Sequence, residues 1–177
     1  MPARSGGMDD FYMIMGIVLA VSALLVVIDQ LLKVWALQAL AGSPSIMVIP
    51  GLLQFTYVEN RGAAFGIFQG RVGLLSLFTL AVIIVAIVML VRGKLRHPLL
   101  MWSVGLIIAG GIGNLIDRVF RSFVVDYIDI SPLFNFPVFN FADCCVVVGT
   151  AMLAIYMLLI DRRKKTGEAQ TSGEGNE

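Results

Sequence analysis

The sequence predicts an all-α membrane protein: four transmembrane helices, with a small β-sheet and loop region on the outer, extracytoplasmic face. Three observations lead there. Four runs without a charged side chain, residues 11–28, 72–91, 98–116 and 144–160, divide the chain. Each holds roughly 17–20 residues, which at about 1.5 Å rise per residue matches the hydrocarbon core of a bilayer. The composition is 58% hydrophobic and 14% charged, whereas charged residues make up about a quarter of an ordinary soluble domain. Finally, the acidic residues of interest gather at the ends of the runs, where an ionisable group is costly to bury and so a candidate for function.

The 177 residues read as one polytopic membrane domain over residues 1–165, with helices at about 11–35, 72–91, 98–118 and 141–160. A polar, Gly- and Glu-rich tail, 166–177, is expected to be disordered and cytoplasmic. The net charge of +1 offers no basic surface for nucleic acid. The first run is read as a retained helix rather than a cleaved signal. Its leading flank sets Arg4 against Asp9 and Asp10, and Asp29-Gln30 follows where a small-residue cleavage site would stand.

Basic residues in short loops set the orientation. Arg92, Lys94, Arg96 and His97 lie between the second and third runs, and Arg162, Arg163, Lys164 and Lys165 follow the fourth. With four helices these clusters share a side, which is expected to be cytoplasmic together with both termini. The loops 33–71 and 117–143 then face outward. In the first, residues 46–49 and 53–58 are β-prone around a Pro50-Gly51 turn, and a small sheet resting on the membrane surface is expected. That loop continues into Asn60-Arg61-Gly62-Ala63-Ala64-Phe65-Gly66. Pro132 and Pro137 keep the second loop from being one continuous helix.

The clustered polar residues all fall on the outer side. Asp29 and Lys33 are four apart on one helix face, and read equally as an interfacial ion pair or as part of a site. Asn114, Asp117 and Arg118 share a face at the end of the third helix. Gly110, Gly111 and Gly113 before them allow a neighbour to approach closely. Asp126 is enclosed by Phe123-Val124-Val125 and Tyr127-Ile128, with Asp129 as a close rival. Asn140 suits the N-cap of the fourth helix and Asp143 its third position, where the helix end is positive. Asp126 and Asp143 lie either side of a proline-containing loop and can converge from different elements. Two converging carboxylates can share a proton, one activating a water and the other protonating a carbonyl oxygen. That is aspartic-protease chemistry, without metal or cofactor.

Other chemistries lack the residues. The one histidine, His97, belongs to the cytoplasmic loop, and no His-Glu-x-x-His motif exists. Ser76, Ser103, Cys144 and Cys145 have no histidine partner on their side. The adjacent cysteines read as small packing residues, too few for a disulfide framework. Gly111-Ile112-Gly113-Asn114 carries Asn where a Gly-x-Gly-Asp intramembrane protease has its acid.

Five blocks carry a resemblance. They are Asp29-Gln30-x-x-Lys33, Asn60-x-Gly62-Ala63-Ala64-Phe65, Gly110-Gly111-x-Gly113-Asn114-x-x-Asp117-Arg118, Val124-Val125-Asp126-Tyr127-Ile128 and Phe139-Asn140-x-Ala142-Asp143. In this order the chain resembles bacterial lipoprotein signal peptidases, the signal peptidase II family. The resemblance implies a four-helix inner-membrane aspartyl endopeptidase without cofactors or metal. Such an enzyme cleaves signal peptides from diacylglyceryl-modified prolipoproteins just before the lipidated cysteine. It places the catalytic pair on Asp126 and Asp143 and substrate-cradling positions on Asn60, Gly62, Asn114, Arg118 and Asn140. Asp29 and Lys33 become a supporting pair. The implied partners are the lipidated prolipoprotein and membrane lipid, with no nucleic acid and a monomeric enzyme. Two departures are visible: Ser122 where the family commonly has Gly, and Tyr127 where Phe is usual. Two readings compete. A small proton-coupled transporter would keep an acid near the bilayer midplane and often show repeat symmetry. A non-catalytic lipid-binding or assembly factor would not need two converging acids.

Overall fold

The structure is a computed structural model that describes residues 6–62 and 68–161. Residues 63–65 of the second block, the basic flank 162–165 and the tail 166–177 lie outside the described residues. Four helices, α1 (Gly6–Ala39), α2 (Val72–Val91), α3 (Pro98–Arg121) and α4 (Phe141–Ile155), are joined by three strands. These are β1 (Ile46–Ile49), β2 (Leu53–Asn60) and β3 (Val124–Asp129), which form an antiparallel sheet in the order β1-β2-β3. All four helices, α4 together with the π-helical turns that continue it, are long and apolar enough to cross a membrane. The chain is thus a four-helix membrane protein with a small sheet at one end.

Helix α3 is central and packs against α1, α2 and α4. Its start is set by Pro98 at the first turn and by His97, whose Nδ1 accepts the Leu99 N–H at 3.2 Å. Its end is set by Ser122, left-handed at φ 65°, a conformation that costs a side-chain-bearing residue and suits glycine. Glycine, which the resemblance expects at this position, would take that conformation without strain. The small residues of α3 let its neighbours close in. A Cβ at Gly110 would run into the carbonyl oxygen of Ala142 on α4, and one at Gly113 would lie 2.5 Å from Asp29 Oδ2 on α1.

The sheet lies against the end of α1. Alternation along β3 sends Val125 and Tyr127 into a core with Ala36 and Leu40 of α1, and the Tyr127 ring packs edge-on to Trp35. Asp126 consequently points to the opposite face. A second, larger core of Val18, Ile83, Leu90, Met101, Val104 and Ile108 fills the other half of the bundle.

Candidate active site

Two backbone features bring Asp126 and Asp143 together. Asp126 sits on β3 opposite Val58 of β2, with Asn60 two residues further along the same face. The segment before α4 is pinned to β3 by a bridge: Phe139 N–H donates to the Ile128 carbonyl at 3.0 Å, and the Phe139 carbonyl accepts from Ile128 N–H at 2.7 Å. That bridge delivers the first turn of α4 beside Asp126. There Asn140 and Asp143 close a capping box: Asn140 Oδ1 accepts Asp143 N–H at 2.9 Å and Asp143 Oδ2 accepts Asn140 N–H at 3.1 Å.

Three asparagines then hold the two acids. Asn140 Nδ2 donates to Asp126 Oδ1 at 2.6 Å, and Asn60 Nδ2 donates to Asp126 Oδ2 at 2.9 Å. Asn114 Nδ2 donates to Asp143 Oδ1 at 2.7 Å. The orientation of each amide is itself fixed. Asn60 Oδ1 accepts Gly62 N–H, Asn140 Oδ1 accepts the cap N–H, and Asn114 Oδ1 accepts from both Lys33 and Asn140 Nδ2. Asp126 is 1% exposed. Burial first, and then the charge of Asp143, push its carboxyl up from 3.8 to about 7, against the hydrogen bonds from Asn60 and Asn140.

Beneath this layer lies a buried ionic cluster. The Lys33 ammonium has an acceptor for each of its three N–H groups: Asp29 Oδ2 at 2.9 Å, Asn114 Oδ1 at 2.9 Å and Asp117 Oδ2 at 3.1 Å. Asp29 Oδ1 reaches across to accept Ala142 N–H at 3.0 Å, satisfying one of the free donors at the start of α4. Asp117 accepts Val125 N–H at 3.0 Å at the start of β3, and also pairs with Arg121. Gln30 links the cluster by donating to Asp29 and to the Gly113 carbonyl while accepting from Arg121 Nη1.

The nine residues singled out by sequence therefore fall into connected layers. Asp126, Asp143, Asn60, Asn114 and Asn140 form one hydrogen-bonded set, with Gly62 fixing Asn60. Asp29 and Lys33 join it through Asn114. Arg118 stands apart in one respect: its buried Nε has no hydrogen-bond partner among the described residues, while its guanidinium feels the charges of Asp143, Asp126 and Asp117. The two rival acids are committed elsewhere. Asp117 is enclosed by Lys33, Arg121 and Val125. Asp129 accepts from Gln54 at 2.7 Å, Thr56 at 2.8 Å and Ser131 N–H at 2.8 Å. Burial alone would raise the Asp129 carboxyl, but those hydrogen bonds outweigh it and hold the group at about 2. Arg121 and the full role of Gln30 were not evident from sequence. The available signal was Arg121 four residues after Asp117 on one helix face.

A family model described as signal peptidase (SPase) II matches residues 21–159. A lipoprotein signal peptidase of Clostridium acetobutylicum is 44% identical over 141 residues, covering 78% of this chain and 92% of that protein. One of Enterococcus faecalis is 36% identical over 154 residues, covering 86% and 94%. Among solved structures, a bacterial membrane enzyme determined by the in meso method at 2.3 Å superposes with a TM-score of 0.75 at 30% identity, covering 85% of this chain and 92% of that one.

Proposed function

The chain belongs to the signal peptidase II family, and from that premise we propose that Asp126 and Asp143 carry out its hydrolysis. As a lipoprotein signal peptidase it is an aspartic peptidase that removes signal peptides from prolipoproteins. The observation that supports the residue assignment is the shared set of asparagine hydrogen bonds around these two acids, at one end of the helix bundle.

Their environments suggest distinct roles. Asp126 is buried, with its carboxyl pushed up to about 7, and serves as the acid. Asp143 occupies the third position of α4, where the helix's positive end suits a negative charge, and serves as the base. Asp143 takes a proton from water as its oxygen attacks the scissile carbonyl, and Asp126 gives its proton to the carbonyl oxygen. The tetrahedral intermediate then collapses: the C–N bond breaks, Asp143 returns its proton to the leaving amine, and Asp126 recovers one from the intermediate's hydroxyl. Asn60, Asn114 and Asn140 keep both carboxylates aimed. Gly62 supports Asn60, and Arg118, whose guanidinium lies within the field of Asp143 and Asp126, is assigned to cradling the substrate. Asp29 and Lys33 support the site from below. The reaction calls on no metal.

The loop holding Lys94 and His97 joins α2 to α3 at the end of the bundle opposite these acids. The bias of basic loops to the cytoplasm argues for that end and both termini on the cytoplasmic side of the bacterial inner membrane, and the acids near its outer face. The enzyme is proposed to act as a monomer. The scissile bond precedes a cysteine carrying diacylglycerol, and the apolar helix surface beside the site receives its tails. Purified protein should cleave a diacylglyceryl-modified precursor and leave its unmodified form largely intact. Equal cleavage rates would show that the lipid is not recognised.

A further inference from the structure

The first hairpin of the sheet is apolar in a way that a water-facing edge strand is not. No charged residue occurs between Lys33 and Glu59. Within this stretch lies β1, an edge strand whose four side chains are all exposed: Ile46 at 47%, Met47 at 60%, Val48 at 46% and Ile49 at 45%. Successive strand residues point to opposite faces, so β1 shows apolar side chains on both. Leu52, beyond the Pro50-Gly51 turn, adds another at 38%. Edge strands in water are ordinarily blunted by charge or covered by another element; this one carries no charge.

Helix α1 supplies the depth at which the hairpin sits. Gly93, in the turn between α2 and α3, stands beside Phe11: a Cβ there would lie 3.8 Å from the Phe11 ring. Phe11 thus marks the far edge of the bundle. A hydrocarbon core of about 30 Å takes roughly 20 residues of helix from that point, which ends near Leu31, a leucine exposed at 64%. Trp35 lies one turn further, about 6 Å, at the headgroup level where tryptophan concentrates. Its ring meets Phe55 edge-on with centroids 5.2 Å apart, and Phe55 is the register partner of Ile46. Register partners share a sheet face. The apolar surface therefore runs from the lipid-facing side of α1, through Trp35 and Phe55, onto β1 at interfacial depth.

We propose that the tip of the β1–β2 hairpin, Ile46–Ile49 with Leu52, is a membrane anchor buried at the headgroup–acyl boundary of the sheet-side leaflet, with phospholipid as its occupant. The anchor fixes the height of the sheet. Because β2 pairs with β3, where Asp126 stands opposite Val58 and accepts from Asn60 at the end of β2, it fixes the height of the candidate acids as well. It stands independently of which residues perform hydrolysis.

The test places an environment-sensitive fluorophore on Val48→Cys, with native Cys144 and Cys145 changed to Ala, in protein reconstituted into phosphatidylcholine vesicles. Leu52→Cys is labelled in parallel in case the first label disturbs folding, and Glu59→Cys serves as the water-facing control. Labels at 48 and 52 should emit blue-shifted light, lose emission to phosphatidylcholine spin-labelled high on its acyl chains, and resist aqueous iodide. The label at 59 should do the reverse. Iodide quenching at 48 and 52 without quenching by spin-labelled lipid overturns the proposal. Protection that appears only at high protein-to-lipid ratio would assign the patch to a second copy, and protection only on adding lipidated precursor would assign it to substrate. Either outcome overturns the proposal too.

Discussion

Lys33→Met removes one charge from a buried group of four. Lys33, Asp29 and Asp117 are each at most 1% exposed, and Arg121 is 23% exposed. Two cations and two carboxylates sum to zero, so the cluster is neutral as it stands and carries a net charge of −1 once Lys33 is gone. Methionine fills the lysine stem's volume but offers no donor, leaving Asp29 Oδ2 and Asp117 Oδ2 without the ammonium at 2.9 and 3.1 Å. Exposed pairs are worth about 0–1 kcal/mol, whereas removing one partner of a buried pair costs about 3–5 kcal/mol. Burial decides which applies here, and the larger figure governs. For a chain of this size about 2–4 °C is lost per kcal/mol, so the unfolding midpoint should fall by roughly 6–20 °C. Thermal unfolding of the purified protein in detergent measures this. The double variant Lys33→Met with Asp29→Asn restores neutrality and keeps an oxygen for Ala142 N–H, so it should recover much of the loss. An unchanged midpoint for Lys33→Met would show that the lysine is dispensable and does not neutralise the cluster.

Hydrolysis should decline as pH rises through about 7, since Asp126 is protonated below that value and ionised above it; a rate that keeps climbing well into the alkaline range would exclude Asp126 as the acid. The same raised carboxyl contributes folding stability that is full below about 4 and lost as pH rises through about 7, a dependence that Asp126→Asn should flatten in unfolding midpoints. Asp129→Asn turns an acceptor of three hydrogen bonds into a group that accepts on one side only. It should cost about 1.5–3 kcal/mol of stability yet leave turnover near normal below its lowered midpoint, and a folded but inactive variant would restore Asp129 as a rival. Treatment with EDTA and phenanthroline should leave cleavage unchanged, and loss of activity restored by added zinc would sink the two-carboxylate account.

The helices were legible because membrane spans advertise themselves by uninterrupted apolar length, and β1 and β2 because Pro50-Gly51 separates two β-prone segments. Strand β3 was not legible as a strand. Val124–Asp129 has the right alternation, but nothing in the sequence says that its partner is β2, more than sixty residues upstream. The ends of α1 and α3 lie beyond the expected 35 and 118, at Ala39 and Arg121. Those last turns are held by packing on the sheet and by the Asp117–Arg121 pair, neither of which leaves a hydropathy signal. The polar residues of the site were visible as clusters at run ends. Their hydrogen-bond partners were not: Asn60, Asn114 and Asn140 each donate to one of the two acids. An asparagine's partner depends on which way its amide is turned, and that is settled by neighbours such as Gly62 and Lys33 in three dimensions.

A cleavage assay on purified protein with a diacylglyceryl-modified prolipoprotein, run beside unfolding midpoints, tests the roles of Asp126 and Asp143 directly. Asp126→Asn and Asp143→Asn should each lose about 10²–10⁴-fold or more in rate while remaining folded at the assay temperature, each with a midpoint lowered by no more than the loss of one accepted hydrogen bond explains. Robust cleavage by Asp126→Asn, with a folded Asp117→Asn protein inert, would contradict the account and move the catalytic pair to Asp117.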